Sequence, residues 1–315
     1  MKYKLGILGA SKIAFNKFLP ALSKINNLDY YGISSRSKLR AEKFQKIFGG
    51  NIYKKYDDII NDPMIDIVYI PLPPALHYKW ALKALKNNKH IIIEKPFTIN
   101  LRDTQKLLKF AAKKNLAVHE NYMFEFHSQI NHVNKQINKK KLDKLNLVDI
   151  KFGFPFRGNK DFRYSKKLGG GALFDCGGYT IKLATILLGR NISIISADLN
   201  VSKKFDIDIS GNVVIKNDKG IVANLTFSMD SSYRCSLDVW GSKSSIFYDR
   251  IFTPPNDLKP KVILDNKSLF IDSDDQFVNS IKYFFNSIKY EKQRKKCYND
   301  ILIQASLLND ILNFK

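Results

Sequence analysis

The sequence predicts an α/β domain followed by an α+β domain with a large, mainly antiparallel sheet. Over the first third, short apolar runs alternate with amphipathic stretches, the pattern of βα units around a parallel sheet. After about Asn121 the texture changes, and Val148, Ile150, Phe152, Phe154 and Phe156 alternate with polar or small residues, as in a half-buried strand. The 315 residues suffice for two cores of ordinary size. The expected domains are 1–121 and 122–315, with the C-terminal helices packing back toward the first.

In the first domain, strands are expected at Tyr3 to Leu8, Leu28 to Ser34, Ile65 to Ile70, His90 to Glu94 and Ala117 to Glu120. Helical spacing appears between them, for example over Lys38 to Phe48 and Leu101 to Lys114. In the second domain, strand-like runs at Ile192 to Val201, Gly211 to Ile215, Ile221 to Phe227, Ser236 to Trp240 and Ser244 to Tyr248 are separated by turn signals, such as Asn217-Asp218-Lys219-Gly220 and Gly241-Ser242-Lys243. An antiparallel meander is the simplest arrangement. One substantial helix, Ala172 to Leu188, interrupts it, and two more close the chain at Gln276 to Ile288 and Tyr298 to Leu312.

No apolar run approaches the ~18 residues that would cross a bilayer, so no membrane partner is expected. Cys176, Cys235 and Cys297 are odd in number and far apart, which fits a cytoplasmic protein without disulfides, and they show no metal spacing. The net charge of +23 comes mostly from scattered lysines with no nucleic-acid-binding motif, so no nucleic acid is expected. Its densest run, Asn138 to Lys144, reads as a solvated linker. A basic surface does attract polyanionic small molecules.

The segment Leu5-Gly6-Ile7-Leu8-Gly9-Ala10-Ser11-Lys12-Ile13-Ala14 follows a strand and opens a helix, the setting of a Rossmann dinucleotide fingerprint. Gly9 makes the tight turn and Ala14 permits close helix–strand packing. Ser11 stands where the middle glycine normally is, and its N–H and hydroxyl could serve a phosphate at the helix N-terminus. The second strand ends in Ser34-Ser35-Arg36-Ser37 where an NAD site would have a carboxylate. A guanidinium flanked by hydroxyls suits a 2′-phosphate, so NADP(H) is expected over NAD(H).

The fifth strand delivers Glu94-Lys95-Pro96 at its carboxyl end, where ligands sit in open α/β sheets. This tripeptide resembles the signature of the Gfo/Idh/MocA oxidoreductase family. The likeness extends through Leu72-Pro73-Pro74-Ala75-Leu76-His77, Glu120-Asn121-Tyr122-Met123-Phe124, Gly169-Gly170-Gly171-Ala172-Leu173-Phe174-Asp175 and Trp240-Gly241-Ser242. Many members carry His four residues after the aspartate, whereas this chain has Tyr179, similar to the sugar-oxidoreductase and dihydrodiol-dehydrogenase branches. Asp161-Phe162-Arg163-Tyr164 and Asp249-Arg250-Ile251-Phe252-Thr253-Pro254-Pro255 bring it nearer to the NADPH-dependent dTDP-sugar 3-ketoreductases.

The resemblance implies that Ser11, Lys12, Ile13, Ala14, Arg36, Ser37, Leu72, His77, Arg163 and Asp175 line the cofactor, with Gly9, Ser35 and Glu94 beside them. It implies that Tyr233 and Thr253 reach the substrate, a cis Lys95-Pro96 bond, and a homo-oligomer, dimer or tetramer, formed through the second-domain sheet. For the chemistry, Lys95 is the first candidate proton donor, because an ammonium both polarises a carbonyl and releases a proton. Tyr179 is the second, sharing the proton or positioning the sugar; it stands four residues beyond Asp175, the third catalytic candidate, on one predicted helix, so both can face the cleft. His77 reads as a helix starter that touches the cofactor, and no metal is expected.

Two other functions remain open: a dehydrogenase or reductase of a free sugar, polyol or trans-dihydrodiol, and a non-catalytic NADP-binding regulator. Fold and cofactor do not separate them.

Overall fold

A computed structural model describes residues 2–138 and 142–314. The chain divides into two compact units, 1–121 with 277–305 and 122–276 with 306–315.

In the first unit six parallel strands lie in the order β3-β2-β1-β4-β5-β6, namely β1 (Tyr3–Leu8), β2 (Leu28–Ser34), β3 (Asn51–Tyr53), β4 (Ile67–Ile70), β5 (His90–Ile93) and β6 (Val118–Glu120). This is the doubly wound dinucleotide-binding order, whose crevice lies at the carboxyl ends of the strands. The connecting helices are α1 (Leu19–Leu22), α2 (Lys38–Phe48), α3 (Tyr56–Asn61), α4 (His77–Lys86) and α5 (Leu101–Lys113). Strand β3 and helices α3 and α4 had no expected bounds, β3 because two of its three residues are exposed and leave no apolar run. Every residue of β4 is buried, so both sheet faces are covered, and Val68, Ile70, Ile91 and Ile93 pack with Ala81, Leu85, Leu107 and Ala111 from α4 and α5. Full burial of each such Ile or Leu stabilises by about 1.5–3 kcal/mol. Local chemistry sets the helix starts: Ser37 Oγ accepts the Arg40 N–H, and Asn100 accepts those of Arg102 and Asp103.

The second unit holds an eight-stranded sheet of β7 (Leu145–Gly153), β8 (Ile192–Ser202), β9 (Ile207–Asn217), β10 (Val222–Ser228), β11 (Arg234–Gly241), β12 (Ser245–Tyr248), β13 (Lys261–Leu264) and β14 (Lys267–Phe270). Its order, β14-β13-β12-β11-β7-β10-β9-β8, corrects the expected meander: β7 inserts between β10 and β11 and runs parallel to β10. Alternation reports which face of a strand is buried, not its neighbours. The Asn217–Gly220 turn forms as expected, with Asn217 Oδ1 accepting the Lys219 and Ile221 N–H groups and Gly220 at φ 82°. Gly241 N–H closes the next turn on Ser244 O.

Helix α6 (Ser128–Asn138) and the β13–β14 hairpin, turned by Asp265 and Asn266 at φ 46° and 67°, were not foreseen. Helix α7 (Gly178–Leu188) follows a π-helical turn over Leu173–Gly177. Helices α8 (Gln276–Lys289) and α9 (Glu291–Leu312) close the chain; α9 starts seven residues before its expected bound, through a polar first turn with an i,i+4 Glu291–Lys295 pair. Residues 139–141 of the expected solvated linker lie outside the described residues. Beyond them Asp143 and Lys144 are exposed, as expected of a linker, whereas Leu142 is buried and Ser242 Oγ accepts the Lys144 N–H.

One helical stretch among the described residues, Lys166–Leu188, is long and apolar enough to cross a membrane by length and composition, although Asp175 and Lys182 interrupt its apolar run. It reaches that length because short turns join α7 end to end, and 72 % of its apolar window is buried.

Candidate active site

Gly9 sits at φ 101°, with its N–H donating to Ser34 O at the end of β2. A Cβ there would lie 2.7 Å from Leu72 Cδ2, so only glycine keeps this turn open. Ser11 takes a structural part: its Oγ accepts the Ala14 N–H at 3.1 Å and caps the helical segment containing Lys12 and Ile13. Ala14 begins a π-helical turn running to Phe18. At the end of β2, Ser35 Oγ accepts the Ser37 N–H, and Ser37 caps α2. Between them Arg36 is exposed and has no carboxylate partner among the described residues. A constrained turn at a helix start and an uncommitted guanidinium make a cradle that fits a dinucleotide carrying an extra phosphate.

At the end of β5 the Lys95–Pro96 bond is cis. Glu94 Oε1 accepts two hydrogen bonds, from Tyr69 Oη at 2.6 Å and Asn121 Nδ2 at 2.7 Å. The chain of contacts continues from Ser280 Oγ to Asn121 Oδ1 at 3.0 Å and to His119 Nε2 at 2.9 Å. Glu120 Oε1 accepts the Phe97 N–H at 2.7 Å, fixing the backbone two residues beyond Lys95. Lys95 itself is half-buried. The sequence reading missed Tyr69, Asn121 and Ser280 as supports of Glu94, although a tyrosine in the otherwise aliphatic β4 was a visible signal.

His77 is fully buried at the first position of α4, with its ring nitrogens 2.8 Å from the carbonyl oxygens of Pro96 and Leu72. Burial lowers its pKa against these contacts, and the nearby Lys95 charge acts in the same direction as burial. The ring lies between the Leu72 turn and the Pro96 segment, and the neutral imidazole donates its one N–H to one of the two carbonyls.

In the second unit Arg163 is tied to two carboxylates: Nε donates to Asp175 Oδ2 at 2.6 Å, and Nη1 to Asp161 Oδ1 at 3.2 Å. Burial disfavours the guanidinium charge, but Asp175 and Asp161 outweigh it and hold the pKa above its ordinary value. Asp175 lies in the π-helical turn and Tyr179 in the first turn of α7, so the widened turn shifts the simple i,i+4 relation expected for them. Each of the two π-helical turns among the described residues thus holds a candidate residue, Ala14 in one and Asp175 in the other.

Tyr179 is buried among the rings of Tyr122, Phe124, Phe152 and Phe252, at centroid distances of 5.0 to 5.6 Å, and its hydroxyl reaches Met123 Sδ at 3.6 Å. Tyr233 and Thr253 meet through their hydroxyls at 2.8 Å. Burial is the main reason the Tyr233 phenol is pushed up to about 12. No cluster of potential metal ligands occurs among the described residues.

Comparison with known proteins decides the family. Residues 3–122 match the Gfo/Idh/MocA oxidoreductase family, NAD-binding Rossmann fold, and residues 130–247 match the Gfo/Idh/MocA C-terminal domain. The chain belongs to the Gfo/Idh/MocA oxidoreductase family. It is 33 % identical over 266 residues to a dTDP-3,4-didehydro-2,6-dideoxy-alpha-D-glucose 3-reductase of Saccharopolyspora spinosa, covering 84 % of this chain and 80 % of the relative. Its structure is similar to that of KijD10, a 3-ketoreductase from Actinomadura kijaniata solved with NADP and TDP-benzene, at TM-score 0.96 and 30 % identity over 99 % of this chain and 98 % of the other. A trans-1,2-dihydrobenzene-1,2-diol dehydrogenase of Xenopus tropicalis is 30 % identical, over 59 % of this chain and 57 % of that protein.

Proposed function

We propose that this protein is an NADPH-dependent reductase of a keto group, at C3, on a nucleotide-linked deoxysugar. The observation that carries the reading is the near full-length likeness to a 3-ketoreductase solved with NADP and TDP-benzene, against partial coverage for the dihydrodiol dehydrogenase. The open Gly9 turn and Arg36 support NADP(H) as the cofactor. When bound, the dihydronicotinamide supplies hydride to the carbonyl carbon.

The chain's own work is then to polarise that carbonyl and protonate the oxygen. Lys95 does both: its ammonium attracts the developing negative charge and gives up a proton to complete the hydroxyl. Tyr179 positions the sugar or shares that proton, and Asp175, paired with Arg163, fixes the turn from which α7 departs. Tyr233 and Thr253 contact the substrate. The Lys12 to Ala14 segment, Leu72, Glu94 and the Ser35–Ser37 turn shape the cofactor cradle, with His77 holding the Leu72 turn in place.

Three buried free thiols support a cytoplasmic setting. Exposed apolar residues on the second sheet, among them Val201 and Trp240, support a homo-oligomer. The test is NADPH oxidation against dTDP-, UDP-, GDP- and CDP-linked ketosugars and free sugars. Turnover of a nucleotide-linked ketosugar is expected, and activity confined to free sugars, polyols or dihydrodiols would overturn the reading.

A further inference from the structure

Tyr56 opens α3, and its ring is held edge-on against Trp80 at a centroid distance of 4.9 Å and 87°. The phenol oxygen lies 3.6 Å from the point where a Cβ on Gly9 would be. It is therefore at the fingerprint turn, although it comes from a different βα unit. Its pKa is raised by burial and drawn back by the Arg36 charge, so the guanidinium is close enough to act on it. The ring is half-buried, and its hydroxyl has no hydrogen-bond partner among the described residues. Arg36 likewise has no acidic partner there.

We propose that Tyr56 is a cofactor-specificity residue, whose hydroxyl donates to the phosphate on the 2′-oxygen of the adenosine ribose together with Arg36. The inference rests on the NADP(H) reading and extends it. An exposed arginine alone is a weak discriminator, because water and salt screen its charge. A phenol immobilised by Trp80 loses little freedom on binding, and a hydrogen bond to an oxyanion is roughly twice as strong as one between neutral groups. The same hydroxyl facing the neutral 2′-OH of NAD would gain much less.

Tyr56→Phe keeps the ring on Trp80 and removes only the donor. The test compares the binding of adenosine 2′,5′-bisphosphate and 5′-AMP, which differ only in the 2′-phosphate, by calorimetry on the full chain. The wild type is expected to prefer the bisphosphate, and Tyr56→Phe to lower that preference about tenfold. Arg36→Ala should lower it as well, with non-additivity in the double variant. If the wild type prefers the bisphosphate but Tyr56→Phe keeps the whole preference, or loses affinity for both ligands equally, the role assigned to Tyr56 is wrong. A wild type that binds both ligands equally overturns the NADP(H) reading itself, and this proposal with it.

Discussion

In the first unit Glu94, the neighbour of Lys95, is held by directional hydrogen bonds from Tyr69 and Asn121; in the second, Tyr179 is held by four aromatic rings. The parallel sheet buries both faces, so the polar groups near its carboxyl edge must be satisfied within the protein, and they are joined in a chain reaching Ser280 and His119. The second sheet shows alternating burial along β10, and its candidate residue Tyr179 sits among aromatic rings whose packing fixes a ring's place. Around Glu94 the fold thus specifies atoms, and around Tyr179 it specifies a shape.

The largest test of that contrast is chemical. Lys95→Ala should lower kcat by about 10³-fold with NADPH binding retained, whereas Tyr179→Phe, which preserves the packed ring, should cost only about 10- to 100-fold. Steady-state NADPH oxidation beside NADPH titration checks both. Equal losses would mean that the two groups work as one unit.

Gly171 probes one of the directional devices of the second unit. It sits at φ 133°, and a Cβ there would meet the Asp208 carboxylate, which accepts the Leu173 N–H at the start of the π-helical turn. Gly171→Val should destabilise the protein by about 3 kcal/mol in urea unfolding. An unchanged midpoint would show that the turn is not held by this contact.

The smallest effect concerns pH. His90 Nδ1 accepts the Ala117 N–H, tying β5 to the residue before β6, and burial, helped by the Arg294 charge, holds its pKa down to about 4. A histidine lowered on folding contributes stability above its ordinary pKa of about 6.5 that is lost as pH falls toward 4, since the unfolded chain binds the proton first. Between pH 7 and pH 5 the wild type should therefore lose roughly 1–2 kcal/mol more than His90→Asn. Identical losses would remove His90 from the account. In the second unit, His127 Nδ1 accepts the Gln129 N–H, and burial lowers its pKa too, so acid weakens both units by the same physics.

The sequence by itself determined the strands and helices with strong periodicity: β1, β2 and α2 match their expected bounds, because alternation, apolar runs and capping serines are local properties. It also determined that Gly9, Arg36 and Lys95 stand at strand ends, since the chemistry there is written in consecutive residues. Tertiary structure alone decided that β7 lies inside the second sheet, that Ser280 reaches Asn121 across 159 positions, and that Tyr56 meets the Gly9 turn. Pairing and packing join segments distant along the chain, and nothing in the periodicity of either segment names its partner.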